Sequence, residues 1–202
     1  EGIEMVVFGI TGGSGSGKTS VSKMLEKLGV HIIDTDVIAH EIVEPNSDCL
    51  NELVDYFGDS ILNDDKTLNR KKLASIAFSD KQKTEALSNI THKYIKAEVV
   101  KDINTTDAEL VGIDGAVIIG SNVEPLCEFI VSVIADKQSR ITRIKTRDNI
   151  TDEQAIQRIN AQNDDEFYKE NSMYIIYNNG DIAQLESDVV GLFNKIKGNS
   201  FE

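Results

Sequence analysis

A glycine-rich loop near the start of the chain carries the clearest chemical signal. Residues Gly12 to Thr19 fit the pattern G-x-x-x-x-G-K-[ST], in which backbone N–H groups surround a polyphosphate. Glycine lets the backbone wrap closely around such an anion, and the first turn of a following helix adds free N–H groups and its positive dipole end. We therefore expect Lys18 to reach the β- and γ-phosphates and the Thr19 hydroxyl to bind Mg2+.

The residues around this loop predict the strand and the helix that the motif requires. Residues Met5 to Ile10 are apolar and mostly branched, which is typical of a buried strand. Beyond the loop, apolar residues recur at helical spacing at Val21, Met24, Leu25 and Leu28. The strand before and the helix after distinguish a phosphate-binding loop from a chance glycine-rich turn.

Two aspartates follow the second predicted strand, residues 30–34. Ligands of open parallel sheets bind outside the carboxyl ends of the strands, so Asp34 and Asp36 are expected to face the same crevice as the loop. In a kinase, one carboxylate would accept the proton of the attacking hydroxyl and the other would hold Mg2+ or its waters. Alternation along a strand would place both on one face. The alternative is a turn in which an aspartate caps a helix from Val37 onward.

Residues 37–108 show no further strand pattern and predict successive helices. A crossover between parallel strands needs only about a dozen residues, so this longer stretch predicts a helical subdomain that binds the second substrate. Arg70 and His92 are its polar residues of interest. For His92, an ordinary exposed position is the alternative.

Three further strands complete the predicted sheet. Residues 109–120 predict a strand with a glycine-rich end, and within it Asp114 is either a metal-facing carboxylate or part of a strand-end turn. Two more strands and a closing amphipathic helix are predicted at residues 129–135, 174–177 and 182–196.

An arginine cluster lies late in the chain. Four of the five arginines are Arg140, Arg143, Arg147 and Arg158. In an acidic protein that binds phosphate, such a cluster is a candidate anion clamp, whereas the alternative is a solvated helix face with ordinary salt bridges. The first three share one helix face, and a capping box at Thr151 starts a second helix. This pattern predicts a lid that stabilises charge on the transferring phosphoryl group and excludes water.

Composition narrows the class of protein. The chain has 202 residues and a net charge of -13, which argues against nucleic acid or an anionic membrane surface as a partner. Its two cysteines, Cys49 and Cys127, lack a metal-ligand spacing, and no apolar run is long enough to span a bilayer. We therefore expect a soluble cytoplasmic protein with reduced cysteines. The four residues before Met5 are left out of the fold prediction.

Taken together, these motifs resemble those of the dephospho-CoA kinase family along nearly the whole chain. A P-loop alone marks only a superfamily, whereas its combination with Asp-x-Asp and Arg-Ile-x-Ala-Gln at these separations is much more specific. The matching segments are residues 11–18, 28–30, 33–36, 43–45, 68–73, His92, 147–148, 158–162 and 179–180.

The resemblance implies an α/β fold of the P-loop kinase type with three parts. A five-stranded parallel sheet flanked by helices would form the nucleotide-binding core, beside a helical CoA-binding insert and a lid. The implied boundaries are residues 1–44 with 109–138 and 169–202 for the core, 45–108 for the insert, and 139–168 for the lid.

The resemblance also implies ATP-dependent phosphorylation of the ribose 3′-hydroxyl of dephospho-CoA, the last step of coenzyme A synthesis, with Mg2+ as cofactor. ATP and dephospho-CoA would be the partners of a monomer or small homo-oligomer. The implied catalytic residues are Asp36, as the base, with Lys18, Arg143 and Arg147. The implied ATP-binding residues are Gly13, Ser14, Gly15, Ser16, Gly17, Lys18, Thr19, Ser20, Arg143, Arg147 and Asn179. The implied acceptor-binding residues are Asp36, Arg70, His92 and Arg158, and the implied Mg2+ ligands are Thr19 and Asp34.

Two segments depart from the family pattern. Residues Ala116 to Gly120 stand where the family usually has Pro-Leu-Leu-aromatic-Glu, and His92-Lys93 stands in place of His-Pro. Both departures fall on the acceptor side or on the strand that leads to it. Two alternatives therefore remain: a P-loop kinase of another nucleoside or nucleotide, or a CoA-binding module without turnover.

Overall fold

The computed structural model of this protein describes residues 5–198. The four residues set aside above and the last four, at the ends of the predicted core, lie outside it. The strands are β1 (Val6–Thr11), β2 (His31–Asp34), β3 (Leu110–Asp114), β4 (Phe129–Ile134) and β5 (Tyr174–Tyr177). The helices are α1 (Lys18–Lys27), α2 (Thr35–Glu41), α3 (Asp48–Phe57), α4 (Arg70–Ala77), α5 (Lys81–Thr105), α6 (Lys137–Asp148), α7 (Asp152–Asn160), α8 (Asp165–Glu170) and α9 (Ile182–Lys197).

The five strands form one sheet in the order β2-β3-β1-β4-β5. Strand β1 pairs in parallel with β3 and β4, and β4 pairs in parallel with β5. In this register Ile10 lies beside Asp114, and Thr11 lies beside Ser132. The carboxyl ends of the central strands therefore meet at one edge of the sheet, where ligands of such folds bind. The predicted α/β fold with a five-stranded parallel sheet is confirmed.

The central strand is buried on both faces, which explains its nearly continuous apolar sequence. Phe8 and Ile10 are fully buried and belong to one core cluster with α1, β4 and α9. Val21 and Leu25 of α1 are fully buried in the same cluster, as the helical spacing predicted. Helix α1, which follows the P-loop, thus packs against the sheet through its apolar face.

The chain divides into two compact units. One contains the sheet and is formed by the described residues up to Ile33 together with those from Thr106 onward. The other, Asp34–Thr105, is helical, and in it α2, α3 and α4 each contact the long helix α5. The three-part division inferred from family resemblance, including the separate lid, stays a prediction.

The third strand is shorter than predicted. Strand β3 ends at Asp114, and after Gly115 donates its N–H to the Ile10 carbonyl at 3.1 Å the chain leaves the sheet. The side chain of Ile118 is fully buried and packs against β1 at Gly9. Beyond Asp114, Ala116 and Val117 are exposed whereas Ile118 is buried, so this apolar run is not a strand despite its β-like composition.

Both cysteines are free thiols. Burial raises the pKa of the Cys49 thiol to about 11 and that of the Cys127 thiol to about 12. Both therefore stay protonated near neutral pH, as expected of packing residues. Within residues 5–198, no helix combines the length and the apolar character needed to cross a membrane.

Candidate active site

The glycine-rich loop joins β1 to α1 in the geometry that its motif requires. Gly17 precedes α1 with a φ of 96°, and its carbonyl accepts the N–H groups of Ser20 and Val21. Among the described residues, the N–H groups of Lys18 and Thr19 donate to no protein acceptor, because the first turn of a helix lacks partners for them. These free donors at the positive end of α1 form a site for an anionic group.

Lys18 is held by a buried carboxylate at the end of β3. Its Nζ forms an ion pair with Oδ1 of Asp114, whose side chain is only 5% exposed. A buried carboxylate needs such a cationic partner, and the pair places the Lys18 ammonium at the edge of the sheet where the P-loop begins. The sequence alone left the role of Asp114 open and did not predict this pairing.

Two side chains hold the tip of the P-loop at Ser14. Arg140, which is 6% exposed, donates from Nε to the Ser14 carbonyl at 2.9 Å. Gln162 accepts the Ser14 N–H at 2.8 Å and donates from Nε2 to the Ser14 hydroxyl at 3.2 Å. The two side chains also bond to each other, from Arg140 Nη2 to Gln162 Oε1 at 3.2 Å. Every polar group of Ser14 is thereby bonded to one of them.

A second pair of side chains holds the next residues of the loop. Arg143 donates from Nη1 to the carbonyls of Gly15 and Ser16 at 3.1 and 3.3 Å, and from Nη2 to the Asn178 carbonyl at 2.9 Å. The buried Asn178 side chain donates to the Ser16 carbonyl at 2.8 Å. The Ser16 hydroxyl is buried and has no partner among the described residues. We call Arg140, Gln162, Arg143 and Asn178 the loop clamp.

The glycines of the loop make room for this clamp as well as for an anion. A Cβ on Gly13 would collide with the Arg140 guanidinium, and one on Gly17 would collide with the Asn178 amide. A Cβ on Gly15 would lie 2.7 Å from the Arg140 carbonyl oxygen. Substitution at these glycines would therefore displace side chains of the clamp even in the absence of a ligand.

The three arginines predicted to share one face of a helix do not all contact the P-loop. Arg140 and Arg143 contact the P-loop, whereas the Arg147 side chain, one turn later, is 60% exposed and pairs with Asp148 at 2.6 and 2.8 Å. Arg158 of α7 pairs with the same carboxylate. Hydrogen bonds from Arg147, followed by Arg158, lower the pKa of Asp148 to about 2. Contacts of Arg147 and Arg158 with a substrate stay predictions.

The capping box predicted at Thr151 is present at the start of α7. Its hydroxyl accepts the Gln154 N–H, and the Gln154 side chain accepts the Thr151 N–H in return. Helix α7 then packs on α6 through a small cluster of Ile141, Ile144, Ala155 and Ile159. This packing places Gln162, just beyond α7, where the clamp needs it.

Asp34 caps helix α2, and this places Asp36 in the first turn. Oδ1 of Asp34 accepts the N–H groups of Asp36 and Val37 at 2.9 and 3.1 Å. The prediction that strand alternation puts both aspartates on one face is wrong, because β2 ends at Asp34 and α2 begins at Thr35. The capping alternative describes Asp34 correctly. Asp36 is exposed, and its role as base stays a prediction.

The residues available for Mg2+ suit a nucleotide-bound ion. Across residues 5–198, no group of three or more His, Cys, Asp or Glu side chains could hold a metal ion by itself. Thr19 lies in the first turn of α1 with an exposed side chain, as a hydroxyl ligand requires. Mg2+ is usually held by few protein ligands together with phosphate oxygens and waters, so this site fits a metal that arrives with ATP. The ligand roles of Thr19 and Asp34 stay predictions.

The helical unit contains a mostly apolar cavity of about 300 Å³. Arg70, the first residue of α4, and His92 on α5 both line it, and both are exposed. Leu53, Leu73 and Ile95 are among its apolar residues. The structure thus brings together the two polar residues that sequence analysis singled out in this region.

Lys93 stands where the family pattern has proline. Its Nζ lies 2.5 Å from Glu52 of α3, whose carboxylate also accepts the Tyr94 hydroxyl at 2.7 Å. Helix α5 runs through this point without interruption. The departure therefore replaces a residue that disfavours helix interiors with one that links α3 to α5.

Two further residues were predicted to bind the nucleotide: Asn179, which follows β5, and Ser20, near the start of α1. Asn179 is exposed and accepts the Asp136 N–H at 2.8 Å, which joins the β5–α9 turn to the start of α6. Ser20 is exposed in α1. The sequence pointed to Asn179 but not to its neighbour Asn178, whose signal was its position directly after the predicted strand that forms β5.

Comparison with known proteins identifies the family to which this chain belongs. The family model for dephospho-CoA kinase matches residues 6–184. A dephospho-CoA kinase from Lactobacillus johnsonii is 34% identical over 192 residues, which cover 94% of this chain and 97% of that protein. The structure of dephospho-CoA kinase from Campylobacter jejuni is 26% identical, with a TM-score of 0.69 and coverage of 96% and 98%. A Thermus thermophilus structure at 24% identity matches in fold, with a TM-score of 0.82 and the same coverage of both chains. This chain belongs to the dephospho-CoA kinase family.

Proposed function

We propose that this protein transfers the γ-phosphoryl group of ATP to the ribose 3′-hydroxyl of dephospho-CoA, giving coenzyme A and ADP. The observation that carries the proposal is the P-loop with its free N–H donors and Lys18, in a chain of this family. The reaction is the last step of coenzyme A synthesis. We place it in the cytoplasm, with the protein as a monomer or small homo-oligomer.

The P-loop segment Gly13 to Ser20 surrounds the phosphates of ATP in this proposal, with Ser14 held in place by the loop clamp. The N–H groups of Lys18 and Thr19 donate to phosphate oxygens, and the Lys18 ammonium stabilises the charge that develops on the γ-phosphoryl group. Mg2+, held by Thr19 and ATP, supplies further charge neutralisation when bound. Arg143 and Arg147 add positive charge from α6, and Asn179 borders the nucleotide.

Asp36 orients the 3′-hydroxyl and accepts its proton as the oxygen attacks. Its position in the first turn of α2, fixed by the Asp34 cap and exposed to solvent, supports this role. A carboxylate placed within hydrogen-bond distance of the hydroxyl contributes about 100-fold or more as a general base.

Arg70, His92 and Arg158 bind the acceptor. Dephospho-CoA carries a diphosphate and a long, weakly polar arm, so it needs both cationic and apolar surfaces. Arg70 and His92 beside the cavity of the helical unit offer this combination. Arginine suits the diphosphate because its planar guanidinium can bind two oxygens together.

The decisive experiment is incubation of the protein with ATP, Mg2+ and dephospho-CoA, followed by detection of coenzyme A by mass. A matched reaction with the Lys18→Ala variant controls for contaminating kinases. Parallel reactions with nucleosides and nucleotides as acceptors test the first alternative. Binding of dephospho-CoA without any phosphate transfer would instead support the module without turnover.

A further inference from the structure

The Gln162 side chain makes two hydrogen bonds to Ser14 of the P-loop. Its amide accepts the Ser14 N–H at 2.8 Å and donates to the Ser14 hydroxyl at 3.2 Å. Arg140 completes the contact by donating to the Ser14 carbonyl at 2.9 Å and to Gln162 Oε1 at 3.2 Å. One amide therefore contacts two groups of Ser14 and the arginine that holds the third.

This contact fixes a part of the loop that would otherwise be free to move. Ser14 lies between Gly13 and Gly15, and glycine has more backbone conformations available than any other residue. The Ser14 N–H donates to Gln162, so in this arrangement it does not donate to a phosphate. The contact thus selects one backbone conformation of the tip and leaves the donors at Lys18 and Thr19 to the ligand.

Gln162 also ties the loop to a particular helix. It directly follows Ala161, the C-cap of α7. Helix α7 is held against α6 through the buried residues Ala155 and Ile159. The position of α7 therefore determines where the Gln162 amide lies, and through it the conformation of Ser14.

We propose that Gln162 is a positioning residue that holds the P-loop in its nucleotide-binding conformation before ATP arrives. Ordering a flexible loop on binding costs conformational free energy, and a loop already ordered avoids that cost. Gln162 itself does not contact the transferred group. Its effect appears in affinity for the nucleotide and not in affinity for the acceptor. The turnover part of this inference rests on the proposed kinase activity.

The test compares Gln162→Met with Gln157→Met in the full chain. Methionine keeps the length of glutamine but loses both bonds to Ser14, whereas Gln157 is an exposed residue of α7 that serves as the matched control. For Gln162→Met we expect the KM for ATP and the Kd for Mg·ADP to rise about tenfold, since three hydrogen bonds are lost, two to Ser14 and one from Arg140. The KM for dephospho-CoA and the melting temperature without nucleotide should stay close to those of the Gln157→Met control.

Two outcomes would overturn the proposal. One is a Gln162→Met variant whose KM for ATP and Kd for Mg·ADP equal those of the control. The other is an equal rise in KM for both substrates together with a lower melting temperature, which indicates a general structural role. The Kd for Mg·ADP needs no acceptor, so it decides the role of Gln162 even if the protein forms no coenzyme A.

Discussion

The P-loop and the cavity of the helical unit are built in different ways. Hydrogen bonds of 2.8–3.3 Å from the loop clamp hold the loop backbone at Ser14, Gly15 and Ser16. In the helical unit, Arg70 and His92 are exposed beside a mostly apolar cavity. A polyphosphate needs donors at fixed positions, whereas apolar contact is less directional and tolerates variation. Both departures from the family pattern, at residues 116–120 and at Lys93, lie outside the P-loop.

Removal of the Lys18 ammonium should lower activity more than any other change, because Lys18 belongs to the P-loop, where groups at fixed positions bind the polyphosphate. We expect Lys18→Ala to lower kcat/KM about 1000-fold and to weaken ATP binding. The variant also removes the Lys18 ammonium from the buried Asp114 carboxylate, so the double variant with Asp114→Asn should recover the melting temperature but not the activity. Lys23→Ala, an exposed lysine on the same helix, is the matched control. Unchanged ATP affinity and turnover in Lys18→Ala would contradict the P-loop assignment.

Removal of the proposed base should affect turnover without affecting nucleotide binding. We expect Asp36→Asn to lower kcat at least about 100-fold while the Kd for ATP stays the same, because the amide cannot accept the hydroxyl proton. Steady-state kinetics and calorimetric titration with ATP measure the two quantities. Glu41→Gln makes the same chemical change at an exposed position of α2 and should be silent. Full turnover by Asp36→Asn would remove Asp36 from the base role.

Substitution on the acceptor side should change the KM for one substrate only. We expect Arg70→Ala to raise the KM for dephospho-CoA about tenfold, since a charge-assisted contact with its diphosphate is lost, and to leave the KM for ATP unchanged. Lys71→Ala, at the next exposed position of α4, is the control. An Arg70→Ala variant with higher KM for ATP alone would reverse the proposed assignment of the two regions.

The smallest effect is expected at Asp148, which holds two exposed arginines. Its folded-state pKa of about 2 lies below the usual value, so its ion pairs stabilise the folded protein above about pH 4 and are lost as the pH falls through about 2. We expect Asp148→Asn to melt slightly below the wild type near neutral pH, with a difference that shrinks between about pH 4 and 2. The carboxyl carbon signal of Asp148 in an NMR titration gives a direct check, and titration near pH 4 would contradict the pairing.

Local patterns predicted the features that depend on neighbouring residues. The P-loop motif, the apolar face of α1 and the capping box at Thr151 are each set by contacts within a few residues along the chain, and all are present. The local pattern failed beyond Asp114, where apolar residues continue outside the sheet. The apolar residues after Asp114 predicted a longer β3, yet Ile118 is buried against Gly9 outside the sheet.

By itself, the sequence determined that a phosphate-binding loop lies between a buried strand and an amphipathic helix, because glycine content and helical periodicity are local properties. Only the tertiary structure decided what holds that loop. The partners Lys18 and Asp114 are 96 residues apart, Ser14 and Gln162 are 148 apart, and Ser16 and Asn178 are 162 apart. Such pairs meet because strand order and helix packing bring distant segments to one edge of the sheet, and no local pattern encodes that meeting.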